Sequence, residues 1–145
     1  MNDELRLSLD WVLEAPREQV FDGLTDPTEV VKWWGPHGFT LPSAEIDLIV
    51  GGGYRFVMKP PEGDPFHVAG RFLSIDPPRG ISYTFRYEEP APDDRETVVT
   101  LVLEDHGQQT VVFLTQGAFA TQERLLLHRN GWSDSIERLK AFLDK

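Results

Sequence analysis

The spacing of apolar residues changes along this chain, and that change constrains the fold more than any other sequence feature. From residue 39 to 117 apolar and polar residues alternate, which is typical of half-buried β-strands. Residues 121–143 instead carry apolar side chains at intervals of three and four, which predicts one long amphipathic helix. The sheet and the helix must bury their apolar faces against each other, because neither face is stable alone in water.

Turn-forming residues divide the alternating region into six predicted strands. Clusters of Gly, Pro and Asp separate the strands, and connections this short join neighbouring strands in an antiparallel meander. The predicted strands are residues 39–49, 53–59, 66–75, 80–88, 96–104 and 109–117. Residues 4–14 alternate in the same way and add a seventh strand.

Two short helices are predicted between the first strand and this meander. Pro16 suits the first turn of one helix, which stops at Thr25-Asp26-Pro27. Asp26 is a suitable N-cap for the next helix, which Gly35-Pro36 ends. The predicted fold class is therefore α+β, with a curved antiparallel sheet of about seven strands wrapped around a long C-terminal helix, in a single domain of residues 1–145.

Composition excludes several classes of partner. The chain has 14 Lys and Arg against 24 Asp and Glu, and its net charge of −10 disfavours binding to nucleic acid. Its apolar runs are far shorter than the roughly 20 residues of a membrane span, and no signal peptide is recognisable. We therefore expect a cytoplasmic protein that does not insert into membranes. The lack of Cys excludes disulfides and Cys-bound zinc.

No motif for a metal, a cofactor or a catalytic nucleophile is recognisable. The four His residues lie apart, without the i, i+4 spacing of helical metal sites. Gly51-Gly52-Gly53 lacks the helix and Lys that follow a phosphate-binding loop, so it predicts a hairpin where the strands bend. Gly131, in the middle of the predicted long helix, indicates either a close neighbouring backbone or a bend.

A series of short motifs runs along nearly the whole chain. They are Lys32-Trp33-Trp34-Gly35-Pro36, Gly131-Trp132, Gly70 and residues 16–21, 24–27, 45–47, 50–52, 77–78 and 107–110. In order and spacing the series resembles bacterial domains similar to the C-terminal domain of the heat-shock protein 90 ATPase activator. The resemblance implies the helix-grip fold of the START-like, or Bet v 1-like, superfamily. That superfamily includes lipid carriers, aromatase/cyclases, plant hormone receptors and co-chaperones, so the fold alone does not define the function.

A curved sheet and a straight helix cannot touch everywhere, so a gap lined by aromatic side chains is expected between them. Trp33 and Trp34 are adjacent on a helix and point about 100° apart, so we expect one in the core and the other at the mouth of the gap. His128 shares the helix stripe with Trp132, either as a core histidine or as a polar group that orients a ligand. Gln116 lies at one of the alternating positions of its strand that are predicted to face inward. The full set of predicted ligand-binding residues is Trp33, Trp34, Phe39, Tyr54, Phe56, Met58, Tyr83, Phe85, Gln116, His128 and Trp132.

The strand that carries Asp47 has two alternative orientations. Either Ile46 and Leu48 face inward, or Glu45, Asp47 and Ile49 do, because a slip of one residue exchanges the two sets. We favour the aliphatic residues inward, since a buried Asp47 would need a cationic partner.

Three functions are compatible with these predictions. The leading hypothesis is non-enzymatic binding of a small hydrophobic, amphipathic or aromatic molecule between the sheet and the C-terminal helix. The second, implied by the resemblance, is a co-chaperone-like module that interacts with a chaperone. The third is an enzyme of the cyclase or aromatase type, in which His128 moves a proton and Tyr83 takes part in the acid/base catalysis. Exposed edge strands of a meander also permit a homodimer.

Overall fold

A computed structural model describes residues 5–144, so Glu4 of the predicted first strand lies outside the described residues. The order of elements is the predicted one. Along the chain they are β1 (Leu5–Leu13), α1 (Arg17–Thr25), α2 (Pro27–Trp33), β2 (Thr40–Ile46), β3 (Gly53–Lys59), β4 (Phe66–Asp76), β5 (Gly80–Tyr87), β6 (Thr97–His106), β7 (Gln109–Phe119) and α3 (Gln122–Leu143).

The seven strands form one antiparallel sheet in the order β1-β7-β6-β5-β4-β3-β2. Strands β2 to β7 follow one another as the predicted meander. β1 joins the sheet beside β7, with Leu13 opposite Thr110. The two edges of the sheet are therefore β1 and β2, at opposite ends of the strand order.

Helix α3 packs on the concave face of the sheet and buries one stripe of its surface. Thr121 caps its N-terminus, since the Thr121 hydroxyl accepts a hydrogen bond from the Arg124 N–H at 3.1 Å. The buried stripe consists of Leu125, Trp132, Ser135, Ile136, Leu139 and Leu143. Each large aliphatic side chain in it contributes about 1.5–3 kcal/mol by burial. This arrangement confirms the predicted α+β class and the helix-grip fold.

Helices α1 and α2 close one end of the sheet, and Trp33 holds them together. Asp26 caps α2 as predicted, because its carboxylate accepts a hydrogen bond from the Thr28 N–H at 2.9 Å. Trp33 is fully buried, and its Nε1 donates to the carbonyl oxygen of Gly23 in α1 at 2.8 Å. No helix in residues 5–144 is both long and apolar enough to cross a membrane.

Strand β2 ends at Ile46, three residues earlier than predicted. The hairpin closes there: the Asp47 N–H donates to the Gly53 carbonyl oxygen at 2.9 Å, and the Ile49 N–H donates to the Asp47 carbonyl oxygen at 2.8 Å. Gly52 lies so close to this turn that a Cβ atom would overlap the carbonyl oxygen of Asp47. Ile46 is half-buried and Asp47 is exposed, as favoured above. The prediction that Leu48 faces inward is wrong, since the strand has already ended and Leu48 is exposed.

Candidate functional site

A cavity of about 160 Å³ opens between the middle of α3, the loop of residues 34–39 and strands β3 to β5. We call it the mouth cavity. Its walls are formed by Trp34, Gly35, Pro36, Phe39, Met58, Phe66, Phe85, Tyr87, Leu127, His128, Gly131, Trp132 and Ser135. An engineered protein cavity of about 150 Å³ lined by apolar residues binds benzene, so the mouth cavity is large enough for one aromatic ring.

Two residues of α3 hold the loop that forms one wall of the cavity. Ser135 Oγ accepts a hydrogen bond from the Gly35 N–H at 3.2 Å. Gly35 has a φ of +107°, a conformation that costs a glycine little and strains other residues. Arg138 Nη1 lies 3.1–3.2 Å from the carbonyl oxygens of residues 34, 35, 36 and 39. The shape of this wall therefore depends on α3.

Aromatic rings form most of the remaining wall and orient one another. Trp34 meets Trp132 edge to face, with ring centroids 5.2 Å apart. Phe39 meets Phe66 in the same way, with centroids 6.2 Å apart. Edge-to-face pairs at these distances are favourable beyond the area they bury. The wall therefore presents ring surfaces in fixed orientations to an apolar molecule.

His128 and Tyr87 form the polar end of the mouth cavity. The Tyr87 hydroxyl lies 3.4 Å from His128 Nε2, and the rings of Phe85 and Phe119 pack against the imidazole. Burial disfavours the charged form of each group, so it lowers the pKa of His128 to about 4 and raises the pKa of Tyr87 to about 12. Both side chains are therefore uncharged at neutral pH.

The lowered pKa of His128 predicts a loss of stability in acid. An unfolded His has a pKa of about 6.5, whereas that of folded His128 is about 4. As the pH falls between these values, the unfolded state takes up a proton that the folded state does not. Between about pH 7.5 and about pH 4.5, we expect the free energy of unfolding of the unmodified protein to fall by about 2 kcal/mol more than that of the His128→Phe variant.

Urea denaturation of both proteins at the two pH values measures this difference. The comparison at the higher pH is the control, because His128 is neutral there in the folded and unfolded states. Equal losses of stability in the two proteins would show that His128 does not titrate as its surroundings imply.

Six of the eleven residues predicted to bind a ligand line the mouth cavity. These six are Trp34, Phe39, Met58, Phe85, His128 and Trp132. The other five, Trp33, Tyr54, Phe56, Tyr83 and Gln116, are buried in the core and do not line this cavity. Tyr54, Phe56 and Tyr83 border a separate void of about 20 Å³, which has room for about one water molecule.

Gln116, which the sequence predicts to contact a ligand, lies outside the mouth cavity and is bound within the core. It is completely buried, its Oε1 accepts a hydrogen bond from Trp132 Nε1 at 2.7 Å, and its Nε2 donates to Thr97 Oγ1 at 2.9 Å. Both ends of the amide are therefore bound to core partners. Gln116 positions Trp132, which in turn forms part of the cavity wall.

Several wall residues were not predicted from the sequence. They are Gly35, Pro36, Phe66, Tyr87, Leu127, Gly131 and Ser135. Tyr87 shares the strand parity of Tyr83 and Phe85, so the alternation could have revealed it. No close backbone explains Gly131, because a Cβ there would meet only the ring of Pro36, at 3.8 Å. Its missing side chain instead widens the mouth cavity.

Two surface clusters bring a His beside two carboxylates, although the His residues lie apart in the sequence. Within residues 5–144 they are His37 with Asp134 and Glu137, and His67 with Glu88 and Glu89. Such groups have the donor atoms to hold a divalent ion. In each cluster, however, the His already pairs with a carboxylate, as in the 2.8 Å contact of His37 Nε2 with Glu137. Surface pairing between these His and carboxylate groups accounts for both clusters.

Comparisons with known proteins agree with the fold. Residues 14–144 match the family described as Activator of Hsp90 ATPase homolog 1-like protein. A solved protein of Chromobacterium violaceum has a TM-score of 0.89 and 27% identity, covering 97% of each chain. One from Nitrosomonas europaea has a TM-score of 0.82 and 26% identity over 99% of this chain and 96% of the other. The AHSA1 protein of Silicibacter pomeroyi has a TM-score of 0.81 and 27% identity over 94% and 95%. No curated protein matches significantly.

Proposed function

Since this chain belongs to the family of Activator of Hsp90 ATPase homolog 1-like proteins, we propose that it binds a small apolar molecule in the mouth cavity without transforming it. The observation that carries the proposal is the cavity itself, a space of about 160 Å³ walled mainly by aromatic and aliphatic side chains. An apolar ring would gain affinity by leaving water, at about 25 cal/mol per Å² of surface buried.

The position of Gly131 allows the cavity to be filled without disturbing the fold. A Cβ at this position has room, and Leu is a better helix former than Gly by about 0.8 kcal/mol. We expect Gly131→Leu to remain folded and to weaken the binding of toluene at least about tenfold, because the new side chain occupies the space of the ring. Tryptophan fluorescence would report the binding, since Trp34 and Trp132 line the cavity.

Asn130→Leu is the matched control. Residue 130 precedes Gly131 on α3 and is exposed, so this variant adds the same side chain outside the cavity. It should bind toluene as the unmodified protein does. Equal binding by Gly131→Leu and Asn130→Leu, or no saturable response in the unmodified protein, would contradict the proposal.

The two alternative functions have less support. The cyclase-type alternative assigns acid/base catalysis to His128 with Tyr83, but Tyr83 lies outside the mouth cavity and Tyr87 is the tyrosine next to His128. The co-chaperone-like role stays a prediction from the family, and retention of the protein on immobilised heat-shock protein 90 would test it.

A further inference from the structure

The polar groups at one end of the mouth cavity limit the class of molecule that fits it. We infer that the cavity selects an uncharged aromatic molecule bearing one hydroxyl group, such as a phenol, over an aromatic carboxylate. The inference rests on the proposed function, because it names the ligand class for the same cavity.

The geometry of His128 and Tyr87 leaves both groups able to bind a hydroxyl. Their 3.4 Å separation is longer than the roughly 2.8 Å of a well-formed hydrogen bond from a hydroxyl. A ligand hydroxyl placed at this end can donate to the imidazole and accept from the Tyr87 hydroxyl. In the tautomer that leaves Nε2 unprotonated, a carboxylate, which can only accept hydrogen bonds, has the Tyr87 hydroxyl alone as a donor.

Two other polar side chains of the wall, Ser135 and Trp132, already have partners within the protein. Ser135 Oγ donates to the Gly131 carbonyl oxygen at 2.8 Å and accepts from the Gly35 N–H at 3.2 Å. His128 and Tyr87 together therefore offer an acceptor and a donor to one ligand hydroxyl. A ligand with one hydroxyl would place it there and direct the rest of its ring toward the aromatic wall.

No cation faces the cavity to offset the charge of a carboxylate. Among the residues that line it there is no Lys or Arg. The nearby Arg124 is engaged by Asp93 and Asp94, each at 3.1 Å, and Arg138 is engaged by the carbonyl oxygens of the 34–39 loop. An unpaired carboxylate that leaves water loses its solvation without compensation. The net charge of −10 adds a repulsive field.

Three compounds that differ in one substituent test the inference at neutral pH: toluene, p-cresol and p-toluate. We expect p-cresol to bind about 2- to 10-fold more tightly than toluene, because it adds hydrogen bonds to His128 and Tyr87. We expect p-toluate to bind more weakly than toluene. Dissociation constants from NMR titrations give the order directly.

Tyr87→Phe tests the assigned residue and keeps the shape of the wall. It should reduce the advantage of p-cresol over toluene while toluene binds as before. Tyr83→Phe is the control, because it removes a hydroxyl from the same strand outside the cavity. His128→Leu provides a second test of the polar end.

The outcomes distinguish failure of the inferred ligand class from failure of the proposed apolar binding. If toluene binds but p-cresol gains nothing over it, or p-toluate binds best, the inference is overturned and apolar binding stands. An unchanged p-cresol preference in both Tyr87→Phe and His128→Leu overturns the inference in the same way. If none of the three compounds binds, the proposed function fails together with it.

Discussion

Replacing Gln116 with Leu is expected to lower the free energy of unfolding by about 3 kcal/mol, although the two side chains are similar in size. In the native protein the fully buried amide pairs with Trp132 Nε1 and Thr97 Oγ1. The Leu side chain would leave both partners without a hydrogen bond in the core. An unsatisfied buried polar group costs about 1–3 kcal/mol, and here two are created.

Urea denaturation at neutral pH measures this loss, and Gln19→Leu is its control. Gln19 is exposed on α1, so the same chemical change there should alter stability by less than about 0.5 kcal/mol. A loss below about 1 kcal/mol for Gln116→Leu would show that the buried amide does not hold Trp132 as described.

Gly70→Ala is expected to have the second large effect, a loss of at least about 3 kcal/mol or failure to fold. Gly70 lies on β4 directly opposite Tyr54 of β3. The Tyr54 ring packs close to Gly70, and its hydroxyl donates to the Thr84 carbonyl oxygen of β5 at 2.6 Å. A Cβ at residue 70 would overlap both that carbonyl oxygen and the ring. β4 would therefore have to move away from β5.

Gly53→Ala is the matched control for the change at residue 70. Gly53 lies on the neighbouring strand β3, and a Cβ there would meet only the Gly70 carbonyl oxygen, at 3.4 Å. We expect this variant to fold with nearly unchanged stability, while Gly70→Ala yields little folded protein or a much lower melting temperature. Equal stability of the two variants would contradict the close packing of the three strands.

Local patterns were sufficient to predict most of the fold. Strand β3 has the predicted bounds, and α3 begins one residue after the predicted start. Both elements depend on spacing and turn residues that can be seen in a short segment. The end of β2 could not be predicted in this way. Residues 48–50 are as apolar as a strand, but they form a turn in which the Ile49 N–H donates to the Asp47 carbonyl oxygen and the Gly52 N–H to the Ile49 carbonyl oxygen, each at 2.8 Å.

The site was harder to predict. The alternation of residues along a strand shows which face of the sheet a side chain lies on, but it does not show whether that position along the strand reaches the cavity. Tyr83 and Tyr87 have the same parity on β5, yet only Tyr87 reaches the mouth cavity. Gln116 was correctly predicted to face inward. Its two hydrogen bonds join β7 to α3 and β6, and pairings between such distant segments cannot be read from one strand.

The central claim is that an apolar ring enters between α3 and the 34–39 loop. Mapping ¹H–¹⁵N chemical shifts while toluene is added tests it most directly. We predict saturable shifts at the amides of Gly35 and Gly131 and at the indole groups of Trp34 and Trp132, which line the cavity. The amide of Gly107, in the β6–β7 turn, should not move. Shifts confined to the exposed residues 48–50, with Gly131 unaffected, would contradict the claim.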